Sequence, residues 1–117
     1  MKKVAVGFAL LFLLAQASHA GKVLSGDEIR ALVANKTITV VLGSSNQWRQ
    51  YFAADGSSNR DNGENSTWYI EHDKHCNTAA KLLCAAIQDN GDGSYARLKP
   101  NGDPAVTWTK IVDGKDF

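Results

Sequence analysis

The densest group of side chains able to do chemistry lies at positions 71–76, with the sequence EHDKHC. Imidazole and carboxylate groups at this density can bind zinc or copper, and the candidate ligands are His72, Asp73 and His75. The spacing fits a metal site poorly, because on an extended strand His72 and His75 point to opposite faces. Two interpretations stay open: a metal-binding loop, and a solvated loop beside a structural disulfide.

The first 20 residues have the features of a secretory signal peptide. A positive start at Lys2 and Lys3 precedes an apolar run at 4–15, and small residues precede a predicted cleavage after Ala20. The apolar run is shorter than the roughly 20 residues that cross a bilayer, and no later segment is apolar enough to do so. We therefore expect a periplasmic or secreted protein that has no membrane insertion after cleavage.

Export bears directly on the two cysteines, Cys76 and Cys84, which are the only ones in the chain. In an oxidising compartment such a pair forms a disulfide. A cysteine in a disulfide has no thiolate to offer a metal, so the pairing also weakens the metal-binding interpretation. We predict a Cys76–Cys84 disulfide.

Length and charge limit the classes of partner. Cleavage after residue 20 would leave 97 of the 117 residues and remove two of the 13 basic residues, so that 11 basic residues stand against 12 acidic ones. This near-neutral balance argues against a nucleic-acid partner and against a basic membrane-binding face. Residues 21–117 are predicted to form a single domain.

The pattern of apolar residues predicts a mainly β (α+β) fold. An S-x-x-E capping pattern at Ser25 begins an amphipathic helix that should end near Asn35. Alternating and β-branched segments, separated by Gly, Asn and Asp turns, then predict strands, while Asp55–Asn65 contains no apolar residue and is predicted to be a long exposed loop. The six predicted strands are 37–42, 47–54, 68–71, 82–88, 94–99 and 105–112. We expect the helix to pack on a six-stranded antiparallel meander or small, partly open barrel.

Several short motifs are shared with a family of small exported bacterial proteins. They are a helix led by L-S-x-x-E-I, the pattern Tyr51-Phe52-x-x-Asp55-Gly56, a Trp68-x-Ile70 strand, the cysteine pair and Gly93-x-Tyr95. The chain resembles these single-disulfide β-meander proteins over nearly all of residues 21–117. The function of that family is unknown, so the resemblance implies only the fold and the location.

No pattern in the sequence identifies a catalytic residue. There is no nucleophile-elbow G-x-S-x-G, and His72 and His75 are the only possible histidine bases after position 20. A small periplasmic enzyme, such as a hydrolase, therefore stays an alternative without assigned catalytic residues. We expect no cofactor.

The aromatic residues suggest a binding surface. Trp48, Phe52, Trp68 and Trp108 are predicted to fill the core. If one sheet face is open, tyrosine and arginine side chains would form an amphipathic surface suited to a glycan, a small apolar ligand or a partner protein. The candidate ligand-binding residues are Arg49, Tyr51, Tyr69, Tyr95 and Arg97. The sequence thus favours a non-catalytic exported binding or protein-interaction module, with the ligand unidentified.

Overall fold

The computed structural model describes residues 21–117, so the predicted signal peptide and its cleavage near Ala20 lie outside the described residues. The described part has one short helix and ten strands, which confirms the mainly β class. The elements are β1 (Lys22–Val23), α1 (Gly26–Val33), β2 (Lys36–Leu42), β3 (Asn46–Phe52), β4 (Ser57–Arg60), β5 (Asn65–Glu71), β6 (Lys74–Asn77), β7 (Cys84–Ala85), β8 (Ile87–Asp89), β9 (Tyr95–Leu98) and β10 (Pro104–Asp113). Within residues 21–117, no helix is long and apolar enough to cross a membrane.

All ten strands form one antiparallel sheet in the order β1-β8-β9-β10-β2-β3-β4-β5-β6-β7. Strands β2 to β7 are a meander, and β10 returns to pair with β2. Only Ala86 separates β7 from β8, yet β7 pairs with β6 whereas β8 pairs with β9. Because one bent stretch joins distant parts of the sheet, the sheet curls into a barrel-like shape around its core.

The number of strands differs from the six that the sequence predicts. The predicted strand at 82–88 is divided into β7 and β8 at Ala86, and strands β1, β4 and β6 were not predicted. Strand β4 lies within the supposed loop Asp55–Asn65. Its inward residue Ser58 is fully buried and accepts a hydrogen bond from Gln50 Nε2 at 2.7 Å. A strand whose buried contact is polar shows no alternation of hydrophobic and polar residues, so its sequence does not indicate a strand.

Strand β6 follows a two-residue hairpin turn at His72 and Asp73 and lies between the predicted strands 68–71 and 82–88. Both residues have positive φ angles, 52° and 57°, as hairpin turns that match the twist of the sheet require. The Asp73 carboxylate then accepts a hydrogen bond from the Gly26 N–H at 2.7 Å. The turn is thereby tied to the start of helix α1.

Helix α1 begins as predicted, with Ser25 as its N-cap. The Ser25 side chain accepts a hydrogen bond from the Glu28 N–H, and the Glu28 carboxylate accepts one from the Ser25 N–H, which completes a capping box. The helix ends at Val33, two residues before the predicted end. Its inward residues Ile29 and Val33 have no exposed surface. The core cluster they join consists of Leu24, Ile29, Val33, Ile38, Val40, Phe52, Trp68, Ile87 and Trp108.

The predicted Cys76–Cys84 disulfide is confirmed. The two cysteines are directly opposite each other on β6 and β7, and Cys76 is fully buried. The bond therefore closes the loop that leads from β6 to β7.

Replacing both cysteines with serine should lower the free energy of unfolding by about 2–3 kcal/mol, since the bond restricts a loop with a sequence separation of 8 in the unfolded chain. The measurement is thermal unfolding followed by circular dichroism. As a control, reductant should lower the midpoint of the wild type and leave that of the double variant unchanged. Equal midpoints for the oxidised wild type and the variant would contradict this role.

Candidate ligand-binding cavity

The concave side of the curled sheet holds a cavity of about 740 Å³ that is partly open to solvent. Ligand sites in proteins commonly have volumes of about 300–1,000 Å³ and are lined mainly by apolar and aromatic side chains. The apolar lining here includes Val40, Trp48, Phe52, Leu82, Val106 and Trp108. These residues come from β2, β3, β10 and the loop before β7, so the cavity exists only because the sheet curls.

Exposed lining residues mark the opening of the cavity. Glu64, Lys81 and Lys99 line it and are exposed to solvent, as is Leu42 at the end of β2. Arg60 lies between this rim and the interior. Its guanidinium carbon is 4.1 Å from the centre of the Trp48 ring, and its Nη1 is 3.8 Å from a Glu64 carboxylate oxygen. The rim is therefore polar and the walls are apolar.

A buried arginine, Arg97, lies among the lining residues with 5% of its surface exposed. It extends inward from β9, on the same side as its pairing partners Ile87 and Val106. Burial lowers the pKa of its guanidinium to about 10, which leaves it charged at neutral pH. None of the salt bridges found within residues 21–117 involves Arg97.

The hydrogen bonds of Arg97 go to neutral acceptors. Its Nη1 donates to the Leu82 carbonyl at 2.7 Å. Its Nη2 donates to the carbonyls of His75 at 2.9 Å and Leu83 at 2.8 Å. Its Nε donates to His75 Nδ1 at 3.3 Å. The guanidinium thus fixes the loop before β7 against β6 and β9 while its positive charge stays without a carboxylate partner.

His75 is fully enclosed beside Arg97. Its ring is stacked on Trp68 at 5.8 Å between centroids and makes edge contacts with Phe52 at 4.8 Å and Trp108 at 5.0 Å. Because Arg97 Nε can only donate, His75 Nδ1 must accept, so the neutral imidazole carries its proton on Nε2. Nε2 is buried and has no hydrogen-bond partner among the described residues.

The environment of His75 disfavours its charged form. Burial, and then the adjacent Arg97 charge, lower the pKa of His75 from 6.5 to about 3. The side chain is therefore neutral throughout the physiological range of pH. Such an imidazole is a poor general base, because it does not gain a proton near neutral pH and its Nδ1 lone pair is already engaged.

The five candidate ligand-binding residues do not form one surface. Arg49, Tyr51 and Tyr69 point away from the core, and Arg49 donates to the Asp116 carbonyl at 2.6 Å. Tyr95 and Arg97 instead point inward, where Tyr95 packs against the core and Arg97 lines the cavity. The structure therefore places the five residues on different faces, and only Arg97 of the five lines the cavity.

The three candidate metal ligands have separate environments. His72 is exposed at the hairpin turn, Asp73 binds the Gly26 N–H, and His75 is enclosed by aromatic rings. Within residues 21–117, no group of three or more His, Cys, Asp or Glu side chains is placed to hold a metal ion. The clustering of these residues in sequence is thus not a clustering in space.

The contact between Arg97 and His75 is the feature that sequence reasoning missed. Both residues are candidates, but for different sites, and 22 positions separate them. One signal was available: Tyr95 and Arg97 alternate with Ala96 and Leu98 in β9, so the sequence allows either face of the strand to be the buried one. Only the pairing of β9 with β8 and β10 decides the direction of Arg97.

Comparison with known proteins adds no relative from which a function could be carried over. No family model matches the chain, and no curated protein or solved structure matches it either. The cavity and the residues that line it are therefore the features that bear on function.

The buried neutral His75 predicts that stability falls as the pH is lowered from 7 to 5. The unfolded chain binds a proton at His75 near pH 6.5, whereas the folded chain does so only near pH 3, so unfolding takes up a proton between these values. The free energy of unfolding should fall by about 2 kcal/mol between pH 7 and pH 5, because each pKa unit corresponds to about 1.4 kcal/mol. Urea unfolding at successive pH values measures this change in the free energy of unfolding.

Two variants separate His75 from other titrating groups. His75→Gln, whose amide oxygen can still accept from Arg97 Nε, should remove most of this dependence. His72→Asn changes an exposed histidine to a residue that tolerates its positive φ of 52°, and should keep the dependence. A flat stability profile in the wild type between pH 5 and pH 7 would show that His75 is not buried in its neutral form.

Proposed function

We propose that the protein is a non-catalytic exported module that binds a small ligand with a large apolar part inside its curled sheet. The observation that carries this proposal is the cavity of about 740 Å³ with its aromatic and aliphatic walls. A cavity of this size removes much of an apolar ligand from water, and each Å² of apolar surface buried contributes about 25 cal/mol. The proposal places binding in the interior rather than on an outer Tyr/Arg surface.

Export is part of the same proposal. It is supported by the signal-peptide features of the first 20 residues and by the disulfide, a bond that forms and persists in oxidising compartments. The cavity would then serve a ligand met outside the cytoplasm. The chemical class of that ligand depends on the polar groups in the cavity.

Filling the cavity should weaken binding. Val106 lies on β10, lines the cavity and is only partly buried, so Val106→Trp projects a large side chain into the space. The matched control is Val41→Trp on β2. Val41 alternates with the lining residues Val40 and Leu42 and therefore points outward. The two variants introduce the same side chain on opposite faces of the sheet.

The probe is a neutral apolar fluorophore, N-phenyl-1-naphthylamine. Its binding is followed by its own emission and by quenching of the fluorescence of Trp48 and Trp108, which line the cavity. We expect saturable binding by the wild type and Val41→Trp, and affinity at least about tenfold weaker in Val106→Trp, with circular dichroism confirming that each variant folds. Absence of saturable binding in the wild type, or unchanged binding in Val106→Trp, would overturn the proposal.

A further inference from the structure

We infer that the cavity selects amphipathic ligands that carry one carboxylate head on an apolar body, and that Arg97 receives the head. This inference depends on the proposed function, because it specifies the ligand of the same cavity. It follows from three features: unused hydrogen-bond donors, an unneutralised buried charge, and the sign of the charges around the opening.

The first feature is a surplus of donors among the buried polar groups. A guanidinium has five N–H groups, and the four hydrogen bonds of Arg97 leave one Nη1 N–H unused. The Nε2–H of His75 also has no partner within residues 21–117, but this nitrogen is buried and His75 is 1% exposed, so the donor that a ligand can reach is that of Arg97. Both residues line the cavity. A ligand group that complements Arg97 must accept hydrogen bonds.

The second feature is the charge of Arg97. A buried charge without an opposite partner is unfavourable, and a carboxylate that reaches it gains both an ion pair and a charge-assisted hydrogen bond. A hydroxyl head would supply only the hydrogen bond, whereas a cationic head would be repelled. The preference of the site should therefore run from carboxylate to hydroxyl to ammonium.

The third feature is the balance of charge around the opening. Among the lining residues, Arg60, Lys81, Arg97 and Lys99 are basic, and Glu64 is the acidic one. Arg60 lies beside Glu64, so the lysines leave the opening with a net positive charge. A positive opening raises the local concentration of anionic ligands and disfavours cationic ones.

The apolar walls of the cavity suit the rest of the ligand. Val40, Trp48, Leu82, Val106 and Trp108 offer apolar surface to an aliphatic chain or a ring system. A ligand without an apolar body would leave these walls unfilled and would lose the hydrophobic contribution to binding. Small hydrophilic carboxylates should accordingly bind weakly.

The first experiment compares three ligands with the same aliphatic chain: decanoate, decanol and decyltrimethylammonium, each below its aggregation threshold, by displacement of N-phenyl-1-naphthylamine at pH 7.5. Decanoate should bind on the order of tenfold or more tightly than decanol, and the ammonium compound most weakly. Equal affinities would overturn the carboxylate preference while leaving the proposed function intact. Failure of the fluorophore and all three ligands to bind would overturn both.

The second experiment locates the preference. Arg97→Gln should reduce the decanoate-to-decanol ratio to near one while decanol still binds, which shows that the cavity persists. The matched control, Lys81→Gln with Lys99→Gln, should keep a ratio on the order of ten. A decanoate-to-decanol ratio near one in this lysine variant would show that the charges at the opening set the preference, and would contradict the role of Arg97.

A measurement on the wild type keeps the inference testable if Arg97→Gln does not fold. Salt screens exposed charges strongly and buried pairs weakly. The decanoate preference should therefore persist at high NaCl concentration. Its disappearance there would show that exposed lysines, and not the buried guanidinium, recognise the carboxylate.

Discussion

The buried guanidinium of Arg97 connects parts of the chain that strand pairing alone does not connect. From β9 it holds the His75 carbonyl of β6 and the carbonyls of Leu82 and Leu83 in the loop before β7. Hydrogen bonds from a charged donor in a buried site are stronger than neutral ones, and removing the donor would leave several carbonyls without partners. The disulfide from Cys76 acts on the same loop. The position of that loop, and with it one wall of the cavity, depends on both constraints.

The same guanidinium decides the chemistry of His75. Because Arg97 occupies Nδ1 as a donor, the imidazole keeps its proton on Nε2 and stays neutral, which its aromatic surroundings of Phe52, Trp68 and Trp108 also favour. The pair therefore has hydrogen-bond donors and a positive charge left over, and no free acceptor. With no free acceptor near neutral pH, the pair is poorly suited to transferring protons.

The elements that sequence patterns predicted well are those whose buried contacts are apolar. Strands β2, β3 and β10 alternate apolar and polar residues, and helix α1 begins at a capping pattern. Strands β4 and β6 were missed because their inward residues are polar: Ser58 bonds to Gln50, and His75 bonds to Arg97. In both strands the partner that makes burial favourable lies on another strand, so no local pattern records it.

The sequence by itself determined the mainly β class, the start of the helix at Ser25, the Cys76–Cys84 pair and the inward face of β3, because each follows from neighbouring residues or from a unique pairing. Only the tertiary structure decided that Arg97 points inward, that His75 meets it across 22 positions, and that His72, Asp73 and His75 separate. The physical reason is that burial of a polar side chain is favourable only where partners satisfy its hydrogen bonds. Those partners are assembled by the register and curl of the sheet, which no single stretch of sequence encodes.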